Sequence, residues 1–308
     1  MRGKLCAAWL VVLMLSAWGL VAAEEDEQPT VEQVHLGLSS GPLRQAKLVD
    51  LPPGTLLRGG SVVITEEQVT DQIARADEQI RPQLEKNRFY VLEQLAVRAL
   101  LLGEAQEWAR TQQMNTGEET PASLTETYLQ SIAGKMRVSD EEIRAFFENN
   151  KNMFGDATFE QVAEMLSAYV LSQKRDEVVA AHINALSERH SVELAAGWVE
   201  TQARASLDNP VDKARRSGQP TVVDFGAQGC GPCDMMTPIL EELRQEYADR
   251  CHILFVSVRE QQILAARYNI GSIPVQAFFD KEGREFFRHI GFFPKEQIVA
   301  KFAELAVE

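Results

Sequence analysis

The sequence predicts two domains, an all-α segment over residues 61–206 and an α/β domain over residues 207–308. Between residues 65 and 190, apolar residues recur at helical spacing behind three capping boxes. Further on, Pro220-Thr221-Val222-Val223-Asp224-Phe225 reads as a buried strand that runs through a glycine-containing loop into Cys230-Gly231-Pro232-Cys233 and then into an amphipathic helix. Finally, a chain of 308 residues, 45% hydrophobic and 25% charged, has ordinary globular composition and a length that suits two modest domains.

The first element is an export signal, residues 1–23. Met1-Arg2-Gly3-Lys4 is basic, Leu5 to Leu20 is almost wholly apolar, and Val21-Ala22-Ala23 places small residues where a signal peptidase reads. The apolar run is short for a bilayer span of about 20 residues, so cleavage is the expectation and an uncleaved inner-membrane anchor the alternative. Cys6 precedes the apolar core, which argues against lipidation at a cleavage point. No later stretch is apolar enough to cross a membrane, and the expected location is a periplasm. The 31 basic groups less Arg2 and Lys4 leave 29 against 45 acids, a net charge of −16. Such a surface repels phosphate backbones, which argues against a nucleic-acid partner. Four cysteines are too few for a disulfide scaffold and suit one reactive pair.

Residues 24–60 are polar, with Gly41-Pro42, Pro52-Pro53-Gly54 and Gly59-Gly60, and read as a flexible segment. Thr65-Glu66-Glu67-Gln68 is a capping box followed by Val69, Ile73 and Ile80 at helical spacing. Pro82 ends that helix or opens the next, and Leu84 to Thr111 reads as a long amphipathic helix. A third helix fits Ser123 to Met136. Ser139-Asp140-Glu141-Glu142 and Thr158-Phe159-Glu160-Gln161 are further capping boxes, the second opening a helix that reaches residue 190. Ser191-Val192-Glu193-Leu194 closes the segment in extended form.

Val138-Ser139-Asp140-Glu141-Glu142-Ile143 through Phe147, Asn149, Asn150, Lys151 and Phe154, with the helix after Thr158, resembles the helical part of SurA-type periplasmic chaperones. That resemblance implies helices that cradle unfolded clients. Only Gly155-Asp156-Ala157 stands where that family carries a parvulin domain, so prolyl isomerase activity is not implied. A helical domain that dimerises or positions its neighbour is the other reading. The 30 acidic against 17 basic residues over 24–206 suit basic clients or plain solubility alike.

The α/β segment carries the chemistry. Strand, loop, Cys-x-x-Cys and helix place Cys230 at a helix N-terminus, where free amides and the helix dipole stabilise a thiolate. Cys233 lies one helical turn on and can attack a mixed disulfide from within, so the spacing supports thiol–disulfide exchange. Zinc needs two further ligands, and adjacent Cys251 and His252 on a strand point to opposite faces. No metal or cofactor is expected.

Val222-Val223-Asp224-Phe225, Cys230-Gly231-Pro232-Cys233-Asp234-Met235, Thr237-Pro238-Ile239-Leu240, Tyr268-Asn269-Ile270-Gly271-Ser272-Ile273-Pro274 and Gly291 with Pro294-Lys295-Glu296 resemble the thioredoxin family over nearly all of 207–308. The resemblance implies a central sheet with helices on both faces, a cis Pro274 facing a Cys230–Cys233 disulfide, and Pro238 kinking the helix. It also implies Cys230 as the exposed nucleophile and Asp224 as a buried acid assisting Cys233. Gly231, Pro232, Ile273 and Gly291 would line the substrate groove. Gly226 and Gly229 stand where thioredoxins normally carry aromatic residues, and Phe255 where many carry a lysine near the buried acid. Without that cation Asp224 would hold a proton to higher pH. The family's leading strand is expected from Gly197-Trp198-Val199-Glu200-Thr201, or the fold starts at a helix near Asn209–Arg216. Cys251 reads as a buried strand-end thiol.

The expected function is therefore an exported thiol–disulfide oxidoreductase acting on protein disulfides or thiols. The Gly-Pro between its cysteines resembles reducing thioredoxins, and reduction in a periplasm implies a thiol donor in the inner membrane. A disulfide oxidase or isomerase, a holdase using the same domain for binding, and an assembly factor for one dedicated target are the alternatives. A homodimer is a further expectation.

Overall fold

The computed structural model describes residues 28–305 apart from 118, 150, 152 and 153. The expected export signal over 1–23, and Asn150 of the SurA-like pattern, lie outside the described residues.

The N-terminal half is helix-rich but not all-α. It comprises α1 (Val31–Val34), β1 (Lys47–Val49), β2 (Thr55–Gly59), β3 (Val62–Thr65), α2 (Glu66–Ala74), α3 (Arg81–Lys86), α4 (Arg88–Thr111), α5 (Pro121–Ala133), α6 (Asp140–Asn149), α7 (Phe159–Asn184), α8 (Leu186–Arg189), β4 (Glu193–Ala195) and α9 (Ala196–Ser206). Its four strands form a sheet in the order β1-β4-β2-β3, with β1 parallel to β4 and β2 antiparallel to both its neighbours. This corrects two expectations: the 24–60 segment carries regular structure over its described part, and the preceding domain is not all-α. Val31, Leu38, Leu43, Leu48 and Leu57 are all buried. They sit singly or in apolar pairs (Leu48-Val49, Leu56-Leu57) among polar residues, glycines and prolines, so no sustained periodicity announces them. Their partners are remote in sequence, because β1 pairs with β4 and all five join the core formed by α4 and α9.

The helix starts follow from their caps. Thr65 accepts from the Gln68 amide while Gln68 Oε1 accepts from Thr65 N at 2.8 Å. The same reciprocal pair forms at Ser139/Glu142 and Thr158/Gln161. Pro82 opens α3, where a missing amide costs nothing, and Asn87 separates α3 from α4. The distal half of α4 carries α5 through Ala105, Ala109 and Leu124. Beyond it, α6 packs on α7 through Ile143, Phe147 and Leu166. Glu104 ties α4 to the end of α7 and to α8. His182 Nε2 and His190 Nε2 each lie 2.8 Å from its carboxylate, and Arg189 Nε donates at 2.9 Å. Burial opposes the Glu104 charge, but hydrogen bonds from Arg189, His190 and His182 hold its pKa down to about 2.

The C-terminal half comprises α10 (Pro210–Arg215), β5 (Thr221–Gly226), α11 (Gly231–Glu246), β6 (His252–Ser257), α12 (Gln262–Arg267), β7 (Val275–Phe279), β8 (Glu285–Ile290) and α13 (Lys295–Glu304). The sheet order is β6-β5-β7-β8, with β5 parallel to β6 and β7 antiparallel to β5 and β8. Strand β5 is buried on both faces. Val222 meets Met236, Leu240, Ile298 and Phe302 from α11 and α13, whereas Val223 and Phe225 meet Val211, Leu264 and Tyr268 from the α10/α12 side. Gly197 to Thr201 lies in α9 and supplies no leading strand. The described sheet is preceded by α10, with Asn209 as its cap.

The two halves are joined by a buried polar network. Asp212 accepts from Tyr268 Oη at 2.6 Å and Arg267 Nη2 at 3.1 Å. Arg267 continues to the carbonyls of Gly37 and Ser206, and its own carbonyl accepts from Ser40 Oγ. Arg215 donates to Gly283 O and to Tyr268 Oη. Its guanidinium fills the place a β-carbon on Gly37 would take, so that position admits only glycine. Ile263 of α12 is part of the N-terminal hydrophobic core. No described helix is long and apolar enough to cross a membrane.

Candidate functional site: a cysteine pair over a buried carboxylate

Cys230 and Cys233 form a disulfide with Cα atoms 5.2 Å apart. Cys230 is the extended N-cap residue of α11, Pro232 lies in the first turn, and the Asp234 amide donates to Cys230 O at 2.9 Å. The dipole and the unpaired amides of this 16-residue helix therefore act on the sulfur nearest its start. Cys230 is half-buried while Cys233 is 3% exposed. An outer sulfur can meet a protein disulfide; the inner one can meet only the outer.

The turn from β5 into α11 favours glycine at two points. Gly229 has φ +75°, a conformation that an aromatic side chain rarely adopts. At Gly226 a β-carbon would lie 3.0 Å from Cε2 of Phe255 and 3.4 Å from Cβ of Cys233. The Phe255 ring thus occupies space that a side chain at 226 would claim. Both departures from the aromatic pattern are accounted for by local geometry.

The Ile273–Pro274 bond is cis. Gly291 N donates to Pro274 O at 2.8 Å, and Gly291 sits at φ +101°, so the end of β8 holds the proline loop in place. Gly231 and Pro232 are exposed, and Ile273 and Gly291 are half-buried. A cavity of about 270 Å³ opens behind the cysteines, lined by Gln228, Cys233, Asp234, Thr237, Arg244 and Phe255.

Asp224 is fully buried on β5, beneath the start of α11. Its Oδ1 accepts from Gln276 Nε2 at 2.7 Å, and Oδ2 has no partner. That free oxygen lies 3.5 Å from the Gly226 β-position that Cys233 Cβ approaches to 3.4 Å. Burial pushes the Asp224 pKa from 3.8 up to about 6, against the pull of the Gln276 bond. Gln276 is a site residue that motif reading missed; its only signal is an amide inside the otherwise apolar run Val275 to Phe279. Cys251 is buried at a strand end, and burial pushes its thiol up to about 12, so it stays protonated and inert.

The Asp224 shift has a consequence for stability. The folded state binds this proton more tightly than the unfolded chain, so stability falls as pH rises from about 4 to about 6. The full penalty, about 3 kcal/mol for the gap between 3.8 and about 6, stands above that range. Asp224→Asn is therefore expected to raise the urea midpoint at alkaline pH and leave it unraised near pH 3.5. A midpoint equally changed at both pH values would contradict an ionised, strained Asp224.

A helix-flanked sheet with a cysteine pair at a helix start and a cis-proline before the next strand is the arrangement of the thioredoxin class of thiol–disulfide oxidoreductases. The thioredoxin family model matches residues 199–304. Over 98 residues the chain is 38% identical to a thioredoxin of Alicyclobacillus acidocaldarius subsp. acidocaldarius, covering 92% of that protein and 32% of this chain. Over 77 residues it is 43% identical to a thioredoxin of Staphylococcus aureus (strain Mu50 / ATCC 700699), covering 73% of that protein and 25% of this chain. The chain belongs to the thioredoxin family. Among the described residues no cluster of three or more His, Cys, Asp or Glu side chains is arranged to hold a metal ion.

Proposed function

We propose that this protein reduces disulfides in exported protein substrates, working in a periplasm on electrons from a thiol donor in the inner membrane. The observation that carries the reading is the Cys230–Cys233 pair, with the outer cysteine partly exposed, the inner one buried, and a fully buried Asp224 whose Oδ2 is unbonded and, like Cys233 Cβ, lies within 3.5 Å of the Gly226 β-position. In the reduced protein the Cys230 thiolate attacks one substrate sulfur, forming a mixed disulfide and releasing the other substrate sulfur as a thiolate. Cys233 then gives its proton to Asp224 and attacks Cys230 Sγ. The Cys230–Cys233 bond forms, the second substrate thiolate leaves, and two electrons have passed to the substrate. An external dithiol restores the pair. Pro274 and Gly291 bound the groove in which the substrate strand would lie, with Gly231, Pro232 and Ile273 beside the sulfur.

The direction rests on Gly231-Pro232, which resembles reducing members of the family. Export, cleavage after Ala23 and the periplasmic setting rest on the leader pattern of residues 1–23. The SurA-like helical part would hold clients near the cysteines or bring two copies together. A second reading, a holdase, is favoured by one observation, an apolar groove of about 650 Å³ lined by Leu101, Leu102, Pro121, Leu129, Ala133 and Val179. Dithiothreitol-driven reduction of insulin tests the choice. The native chain is expected to accelerate precipitation of the reduced chains, and Cys230→Ser to return the rate to background. Undiminished protection of unfolded clients by both, with no acceleration by either, would leave the holdase reading in its place.

A further inference from the structure

Gln276 belongs to a row of four side chains that crosses the sheet under α11. The register pairs Phe255 with Asp224, Asp224 with Gln276, and Gln276 with His289, and directly opposed residues share a face. Gln276 is fully buried and is the one side chain that donates to Asp224 among the described residues. Its amide takes up Oδ1, and the oxygen left free, Oδ2, lies 3.5 Å from the Gly226 β-position that Cys233 Cβ approaches to 3.4 Å. Among the described residues no neighbouring element offers a cation in its stead. Phe255 of β6 is uncharged. From α11 come Cys233 and, at the cavity mouth, Asp234, Glu241 and Arg244, whose Nε is engaged by Ile253 O. His289 of β8 stacks on Phe293 and has Nε2 at 3.1 Å from Phe292 O. A buried carboxylate with no donor at all stays protonated, and a protonated acid cannot take a proton from a thiol.

We infer that Gln276 is a positioning residue for disulfide exchange, its amide keeping Asp224 ionised near neutral pH with the unbonded oxygen turned to Cys233. This inference rests on the reductase reading above. The proton leaving Cys233 Sγ goes to Asp224 Oδ2 as Sγ bonds to Cys230 Sγ and the substrate thiolate departs. Gln276 touches neither sulfur and acts only through Asp224.

The two chemical steps can be timed separately with the reduced full chain and dithiobis(nitrobenzoate), whose first coloured thiolate reports attack by Cys230 and whose second reports resolution by Cys233. In the native protein the second release is expected to rise with pH through a midpoint of about 6. Gln276→Leu is expected to move that midpoint up by about one pH unit, the scale of one hydrogen bond to a charged group. The second release then slows about twofold at pH 7 and up to about tenfold below pH 6, with the first unchanged. Adding Phe255→Lys to Gln276→Leu is expected to bring the midpoint back down, a rescue that a packing role would not show. A rate loss equal at every pH, or a midpoint that stays put, overturns the inference. Should Gln276→Leu not fold, Gln276→Asn, which withdraws the amide by one methylene, is held to the same upward shift. Absence of the first release in the native protein would instead strike down the reductase reading itself.

Discussion

Cys233→Ser is expected to stop the reaction halfway, with catalysed disulfide reduction falling to background while Cys230 remains able to attack. A serine oxygen at this position cannot displace a thiolate from Cys230 Sγ, so each turnover ends in a substrate joined to Cys230. The only other thiol in the described chain, Cys251, is buried and held protonated by burial, and cannot substitute. Non-reducing electrophoresis and peptide mass spectrometry are expected to show Cys230-linked adducts in Cys233→Ser and none in Cys230→Ser. Adducts on Cys233 in the Cys230→Ser protein would reverse the assigned roles. The burial difference between the two sulfurs makes that reversal the informative failure.

The largest expected effect on stability lies far from the sulfurs. Asp212→Ala leaves Arg267 and Arg215, 5% and 8% exposed, without their shared anion. Removing one partner of a buried charge pair costs about 3–5 kcal/mol, a large fraction of the 5–15 kcal/mol that holds typical domains together. Because Arg267 reaches Gly37 O, Ser206 O and Asn87, the loss is expected to loosen the joint between the halves as well. Urea unfolding followed by Trp108 and Trp198 fluorescence in the N-terminal half, and by far-ultraviolet dichroism for the whole chain, checks both. Coincident transitions in the native protein should separate in Asp212→Ala, with both midpoints lowered. As a control, Glu200→Ala breaks an exposed pair with Arg204 and is expected to cost less than about 1 kcal/mol. Equal midpoints for the two variants would mean that the buried network does not hold the halves together.

The legible and illegible parts of this chain divide on sequence distance. Caps act over three residues, so Thr65, Ser139 and Thr158 announce their helices, and the starts of α2, α6 and α7 follow. The Cys-x-x-Cys pair and the strand before it are equally local, and the resemblance carried by Asp224, Pro274 and Gly291 extended that reading across the C-terminal half. What stayed hidden depends on contacts made across long stretches. Strands β1 to β3 are short, rich in neighbouring Gly and Pro, and complete their sheet only through β4, more than a hundred residues on. At the interface Arg267, held by Asp212 of its own half, reaches Gly37 of the other, and none of these residues is marked in its own segment. Gln276 is hidden for the opposite reason. It sits inside a strand whose pattern is right, and only the cross-strand register shows that its amide meets Asp224.

The native chain, equilibrated in graded dithiothreitol or glutathione buffers, quenched, alkylated and weighed by mass spectrometry, gives the redox equilibrium of Cys230 and Cys233. A single reversible two-electron transition confined to these two cysteines is expected, with Cys251 unmodified and a potential close to the reducing value of about −270 mV typical of thioredoxin. A potential near the oxidising end, about −120 mV, would reverse the direction proposed here. A pair that never opens or never closes would contradict the account altogether.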